Sequence, residues 1–219
     1  FPTRRSSDLE APLGSRTKLT LPDGTLVWLN AGSRITYSQG FGVGNRKIEL
    51  IGEGYFEVKR NEEVPFLVKT NSLLVKVLGT KFNFRDYPDD AEAIVSLSEG
   101  KVALNNLLKK EKEAFLLPNE RVVLNKKNGR MHVEYSTVSN ALQWTNGYLF
   151  FDEELLPDVV KELERSYNVK IQIASDTLNT FRFYGNFVHR EQNIQEVLEA
   201  LSATRKIHYI IEGHNITLY

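Results

Sequence analysis

The sequence has no cysteine and only one methionine among its 219 residues. Without a thiol there is no disulfide framework, no thiolate zinc site and no cysteine nucleophile. An excess of charge of either sign is also missing, because Lys plus Arg and Asp plus Glu both number 28. A nucleic-acid binder normally carries a basic excess or stripe, since phosphate neutralisation supplies much of its affinity, so nucleic acid is not an expected partner. The basic pairs Lys109-Lys110 and Lys126-Lys127 fall in polar, loop-like stretches and read as solvated faces. No apolar run approaches the ~20 residues that span a bilayer, and the N-terminus has no apolar signal-peptide core. What remains, with 41% hydrophobic residues, suffices for one large core or two small ones.

Phe1 to Leu9 reads FPTRRSSDL, which resembles a sequencing adapter translated in one frame. Residues 1–15 are therefore expected to be a foreign or disordered tail, and the chain a fragment whose own start lies upstream. The lack of a membrane span then says little about the intact protein.

From Lys18 to about Tyr135 the pattern is one of short strands and turns. Pro22-Asp23-Gly24 separates Lys18–Leu21 from Thr25–Asn30, with Pro presetting φ and Gly accepting positive φ. A similar hairpin is expected about Ser98-Glu99-Gly100, and Asn128-Gly129 is the strongest short hairpin signal in the chain. Further strand candidates are 47–51, 55–59, 66–70, 73–78 and 81–85, with no convincing helix between them. Such spacing predicts an all-β sandwich or roll over residues 16–138, followed by a linker at 139–146. Trp28, Phe56, Phe66, Phe82 and Phe84 are expected in its core.

After Trp144 the period lengthens. Leu155, Leu156, Val159, Val160 and Leu163 make one helical face, and Val169, Ile171 and Ile173 then alternate as a strand. Ile194, Val197, Leu198 and Leu201, followed by Ile207, Tyr209 and Ile211, repeat that order. A shift of 38 residues superposes the two halves without a gap. Residues 147–219 thus predict a small α+β domain with a repeated βαβ unit, closed by a strand at 216–219.

Catalytic constellations are weak. No two of the histidines (132, 189, 208 and 214) stand at i, i+3 or i+4, and no third ligand has suitable spacing, so neither a metal nor another cofactor is implied. Glu53 and Glu57 would lie about 13 Å apart along a strand, too far for a glycosidase pair. Gly40-Phe41-Gly42-Val43-Gly44 lacks the Lys-Ser/Thr of a phosphate-binding loop, and no serine sits in a Gly-x-Ser-x-Gly elbow. An enzyme is not indicated. More suggestive is Phe181-Arg182-Phe183-Tyr184, continued by Asn186. If it is a strand, Phe181 and Phe183 share one face while Arg182, Tyr184 and Asn186 share the other, which makes this segment the candidate partner-binding site.

Leu21-Pro22-Asp23-Gly24-Thr25 with Val27-Trp28-Leu29-Asn30-Ala31-Gly32-Ser33 resembles the opening of FecR-like extracytoplasmic domains. Gly52-Glu53-Gly54-Tyr55-Phe56-Glu57-Val58, Pro65-Phe66-Leu67-Val68, Val77-Leu78-Gly79-Thr80-Lys81-Phe82-Asn83-Phe84 and Ser98-Glu99-Gly100-Lys101-Val102 follow in that family's order. Residues 147–219 are similar to the short signalling domain of secretins and TonB-dependent receptors. The resemblance implies the periplasmic sensor of a transmembrane anti-sigma factor. In that arrangement a cytoplasmic helical domain holds an extracytoplasmic-function sigma factor and one helix crosses the inner membrane. The periplasmic part reads the signalling domain of an outer-membrane TonB-dependent transporter. The competing expectation is a periplasmic or secreted β-sandwich that binds a glycan or other small ligand on exposed aromatic platforms.

Overall fold

The structure, a computed structural model, describes residues 6–219 apart from 137, with backbone only at 138 and 139. The chain divides into two compact units. One holds Arg16–Leu142 with the described part of the chain up to Pro12. The other holds Gln143–Tyr219 together with Leu13–Ser15.

The first unit contains thirteen strands: β1 (Ser6–Ala11), β2 (Thr17–Thr20), β3 (Leu26–Leu29), β4 (Ser33–Ser38), β5 (Arg46–Glu57), β6 (Phe66–Lys69), β7 (Leu73–Val77), β8 (Lys81–Asp86), β9 (Glu92–Glu99), β10 (Val102–Asn106), β11 (Ala114–Leu116), β12 (Glu120–Asn125) and β13 (Met131–Tyr135). They form one continuous sheet folded on itself. One layer runs β11–β10–β7–β6–β5–β4–β1 and the other β2–β3–β5–β8–β9–β12–β13. All neighbours are antiparallel except β5 and β6. Strand β5 belongs to both layers: its first half pairs with β4 and β6, its second with β3 and β8. The change of layer falls at Gly52, whose φ of +98° is open to glycine at little cost, and a Cβ there would meet Ser33 Oγ at 2.4 Å.

Inward-facing residues of both layers merge in a single apolar core, in which Phe56, Phe66, Phe82 and Phe84 are fully buried and Phe56 stacks on Phe82. Burial of this kind stabilises by about 25 cal/mol per Å² of apolar surface and is what makes the alternating strands fold over one another. A polar pair anchors the first hairpin. Asp23 accepts from Thr25 N–H and Oγ1, and from Arg46 Nε at 2.8 Å, while Arg46 also donates to the carbonyls of Lys59 and Val64.

Several expectations need correcting. The segments 47–51 and 55–59 are one strand, because Gly52-Glu53-Gly54 bends the chain without breaking its ladder. Ser98-Glu99-Gly100 does not close a hairpin: β9 pairs with β8 and β12, while β10 pairs with β7 and β11, so this turn carries the chain between layers. Residues 6–11 are not a disordered tail but a strand paired along its length with β4, with Ala11 buried; residues 1–5 of that expectation lie outside the described residues. Trp28 is half-buried, with Lys18 Nζ 4.5 Å from the ring centroid, so it is not a core residue. Lys126 is not simply solvated either, since its ammonium pairs with Asp86 at 3.0 Å.

The short helix α1 (Val138–Ala141) precedes a 3-10 turn at Gln143–Asn146 that buries Trp144. The second unit then runs β14 (Tyr148–Leu155), α2 (Leu156–Tyr167), β15 (Lys170–Ile173), β16 (Arg182–Val188), α3 (Ile194–Ser202), β17 (Tyr209–Glu212) and β18 (Asn215–Leu218). Helix α2 starts with Pro157 in its first turn and ends on Asn168 in the left-handed region, and it buries Leu156, Val159, Val160 and Leu163. Helix α3 opens on a capping box formed by Asn193 and Glu196 and buries Val197, Leu198 and Leu201. Strand–helix–strand thus occurs twice in order, but neither pair of strands is joined within its own unit. Instead β14 pairs antiparallel with β16, while β15 lies parallel to β18, which also pairs with β17. Apolar residues shared by the two units of sequence form one core, because each helix needs a sheet face against which to bury its stripe.

Candidate functional site

Strand β16 has the alternation that its sequence predicts. Phe183 and Phe187 are buried, whereas Arg182, Tyr184 and Asn186 are exposed. Between the two phenylalanines stands Gly185, where a Cβ would come within 2.5 Å of the Phe183 ring. The absent side chain lets Phe183 and Phe187 stack nearly parallel, and both rings pack on Phe151 of β14. Phe181 precedes the strand, is partly buried against the same core, and carries Lys206 over its ring. Phe183 is thus buried in this core, and Phe181 packs partly buried against it. The face left for a partner consists of Arg182, Tyr184 and Asn186, joined by Phe150, which stands opposite Asn186 on β14 and is 36% exposed.

An irregularity in β14 shapes this face. The register slips between Phe151 and Glu154, and Glu153 sits in the bulge at φ +56°, a conformation that a non-glycine residue rarely adopts. Arg182 Nη1 donates to the Glu153 carbonyl, and the Tyr184 phenol stands beside the Glu153 carboxylate. The Glu153 carboxylate as acceptor, followed by slight burial and the nearby Glu153 and Asp152 charges, raises the Tyr184 phenol above the ordinary tyrosine value; Arg182 opposes the rise. The phenol stays neutral and 58% exposed, a rigid aromatic with a polar tip. Tyr and Arg are the side chains most often responsible for affinity at protein interfaces. Among the described residues β14 and β16 have only each other as sheet neighbours, so a partner strand also finds open edges beside this face.

The other residues weighed for chemistry are engaged elsewhere. Glu53 is 5% exposed; its two carboxylate oxygens accept from Asn30 Nδ2 at 2.9 Å and Asn83 Nδ2 at 2.8 Å, with Arg85 Nη1 at 3.8 Å. Its backbone N–H donates to Ser33 Oγ at 2.8 Å, and Tyr87 Oη lies 3.1 Å from that hydroxyl and donates to the Ala31 carbonyl. Glu53, within β5, thus ties the end of β3 to β8 from a buried position. Glu57 accepts from Tyr55 Oη at 3.4 Å; burial, then Glu57, pushes the Tyr55 phenol up to about 12. His189 Nε2 bonds the Ser166 carbonyl, and His132 lies 3.5 Å from Glu134. Among the described residues no group of three His, Asp or Glu side chains is placed to hold a metal. The Asn30–Glu53–Asn83 cluster escaped sequence reasoning, because its members lie 23 and 30 residues apart and only the shared crossing of β5 brings them together.

Both parts of the chain match known families. Residues 7–103 match the FecR protein family and residues 148–218 match the C-terminal region of FecR. Two crystal structures, at 1.65 Å and 2.50 Å, of a candidate anti-sigma factor from Parabacteroides distasonis superpose with TM-scores of 0.88 and 0.89. Each is 33% identical to this chain, with coverage of 97% and 98% of this chain and 98% and 99% of the relative. No curated protein matches the sequence. With its two regions matched in order and a relative of this identity along nearly the whole length, the chain belongs to the FecR family of anti-sigma factors.

Proposed function

We propose that this chain is the periplasmic, signal-receiving part of an anti-sigma factor, acting by protein–protein contact and not by catalysis. Membership of the FecR family and the likeness to a candidate anti-sigma factor support a regulatory role toward a sigma factor. The sigma-binding domain and the inner-membrane helix are assigned to parts of the intact protein outside these 219 residues. No helix among the described residues is long and apolar enough to cross a membrane. The second unit receives the signal by docking the signalling domain of an outer-membrane TonB-dependent transporter.

One observation carries this reading: the outer face of β14 and β16, where Phe150, Arg182, Tyr184 and Asn186 stand exposed over a rigid aromatic layer. The glycan-binding alternative would use aromatic platforms on the first unit. Trp28 suits that role poorly, because Lys18 covers its ring and Tyr55 packs at 5.3 Å. The test is isothermal titration of the full chain with transporter signalling domains from the same genome. Tyr184→Glu should weaken binding about 30-fold, the value expected for losing a ~2 kcal/mol contact, with an unchanged circular dichroism spectrum. Equal affinity in a folded variant refutes this surface, and no binding of the native chain to any such domain refutes the partner.

A further inference from the structure

The three-stranded sheet of the second unit ends in an open edge. Strand β17 pairs only with β18 among the described residues, and it contains neither proline nor lysine. His208 and Tyr219 exchange both main-chain hydrogen bonds, at 2.9 and 3.0 Å. Alternation then turns the N–H and C=O of His208, Ile210 and Glu212 toward β18 and those of Tyr209 and Ile211 outward. Side chains tell the same story. Ile211 lies on the core side, directly across from Ile216, yet is 40% exposed against 2% for Ile216. Among the described residues it has β18 on one side and no strand on the other. On the opposite face Ile210 is 50% exposed.

We propose that β17 pairs antiparallel with β17 of a second copy of this chain, about a two-fold axis through Ile210, giving a continuous six-stranded sheet. The sequence His208-Tyr209-Ile210-Ile211-Glu212 is complementary to itself in this register. Tyr209 of each copy meets Ile211 of the other, and these are the two residues whose backbone groups face outward. Each such pair closes two main-chain hydrogen bonds. On the outer face His208 of each copy stands opposite Glu212 of the other, an imidazole N–H against a carboxylate, and Ile210 meets its own copy between them. Tyr209 and Ile211 extend the core side across the junction. An isologous contact of this kind closes on itself as a dimer and does not propagate.

The absence of cysteine makes the test clean. Ile210 pairs with itself at a non-hydrogen-bonded position, where Cα atoms lie about 4.5 Å apart, a separation that a disulfide spans. Ile210→Cys in the full chain should therefore cross-link to itself under mild oxidation at least about tenfold faster than Asn215→Cys. Asn215 is also exposed on the outer face, but lies one strand further from the axis. Sedimentation of the native chain should show a reversible, concentration-dependent dimer. Ile210→Glu, which sets two carboxylates face to face at an already exposed position, should return it to monomer with its circular dichroism unchanged. A native chain that stays monomeric near 1 mM, equal cross-linking of the two cysteine variants, or a dimer that survives Ile210→Glu would overturn the proposal. None of these measurements involves the transporter, so they stand apart from the docking face on β14 and β16.

Discussion

Replacing Glu53 by Gln changes one oxygen to an amide nitrogen and almost nothing else. The native carboxylate accepts from Asn30 on one oxygen and from Asn83 on the other. Asn30 cannot turn its amide to compensate, because its Oδ1 already accepts from Arg16 Nε at 3.0 Å and from the Ala31 N–H at 2.9 Å. With Asn83 held as it stands, a glutamine that keeps its oxygen toward Asn30 sets its own NH₂ against the Asn83 NH₂, in a site only 5% exposed. One hydrogen bond to a charged acceptor disappears and a buried donor is left facing a donor, together about 3 kcal/mol. Loss of the charge opposite Arg85, 3.8 Å away, acts in the same direction. For a unit of this size the melting temperature should fall by roughly 10 °C. Urea unfolding followed by fluorescence gives the cleanest reading. The chain has two tryptophans, so in a Trp144→Phe background the signal comes from Trp28 alone, next to β5. The midpoint should drop with an unchanged m-value. Glu57→Gln, whose carboxylate makes a long contact with Tyr55, serves as control and should cost no more than about 0.5 kcal/mol. Equal midpoints for the two variants would refute the assignment of Glu53 as the tie between β3, β5 and β8.

Two further expectations concern the same unit. Gly52→Ala should destabilise by about 3 kcal/mol or more, from the left-handed φ of +98° and a Cβ at 2.4 Å from Ser33 Oγ, and calorimetry should show a lower melting temperature. For Tyr55, burial and then Glu57 raise the phenol from 10 to about 12, so the folded chain holds that proton more tightly than the unfolded chain. Its contribution to stability is whole below pH 10 and is lost as the pH rises toward 12. An ultraviolet difference titration between the native chain and Tyr55→Phe should place the phenolate midpoint near 12, whereas a midpoint near 10 would mean that the hydroxyl is fully solvated.

Local chemistry was readable in the sequence and long-range geometry was not. The Pro22-Asp23-Gly24 turn follows from backbone preferences of three neighbours, but the pairing of Asp23 with Arg46 depends on a strand 23 residues away. The faces of β16 and α2 follow from periods of two and 3.6, which act within one element. Strand β1 was missed because Leu9 and Ala11 are its only apolar residues, and main-chain pairing with β4 holds it instead. Gly52 looks like a break between two strands and Gly100 like a hairpin turn, since a positive φ serves a bend and a layer crossing as well as a turn. At the candidate site the alternation exposed Arg182, Tyr184 and Asn186 correctly, but it gave no sign of Phe150 or of the Glu153 bulge, which lie on β14 some 30 residues earlier.

The most direct test of the docking face is hydrogen exchange of the full chain, free and saturated with the transporter signalling domain proposed as its partner. The account predicts that added protection concentrates in Tyr148–Leu155 and Arg182–Val188, the two strands that carry Phe150, Glu153 and Tyr184. Protection confined to the thirteen-stranded unit, with these two strands unchanged, would contradict it.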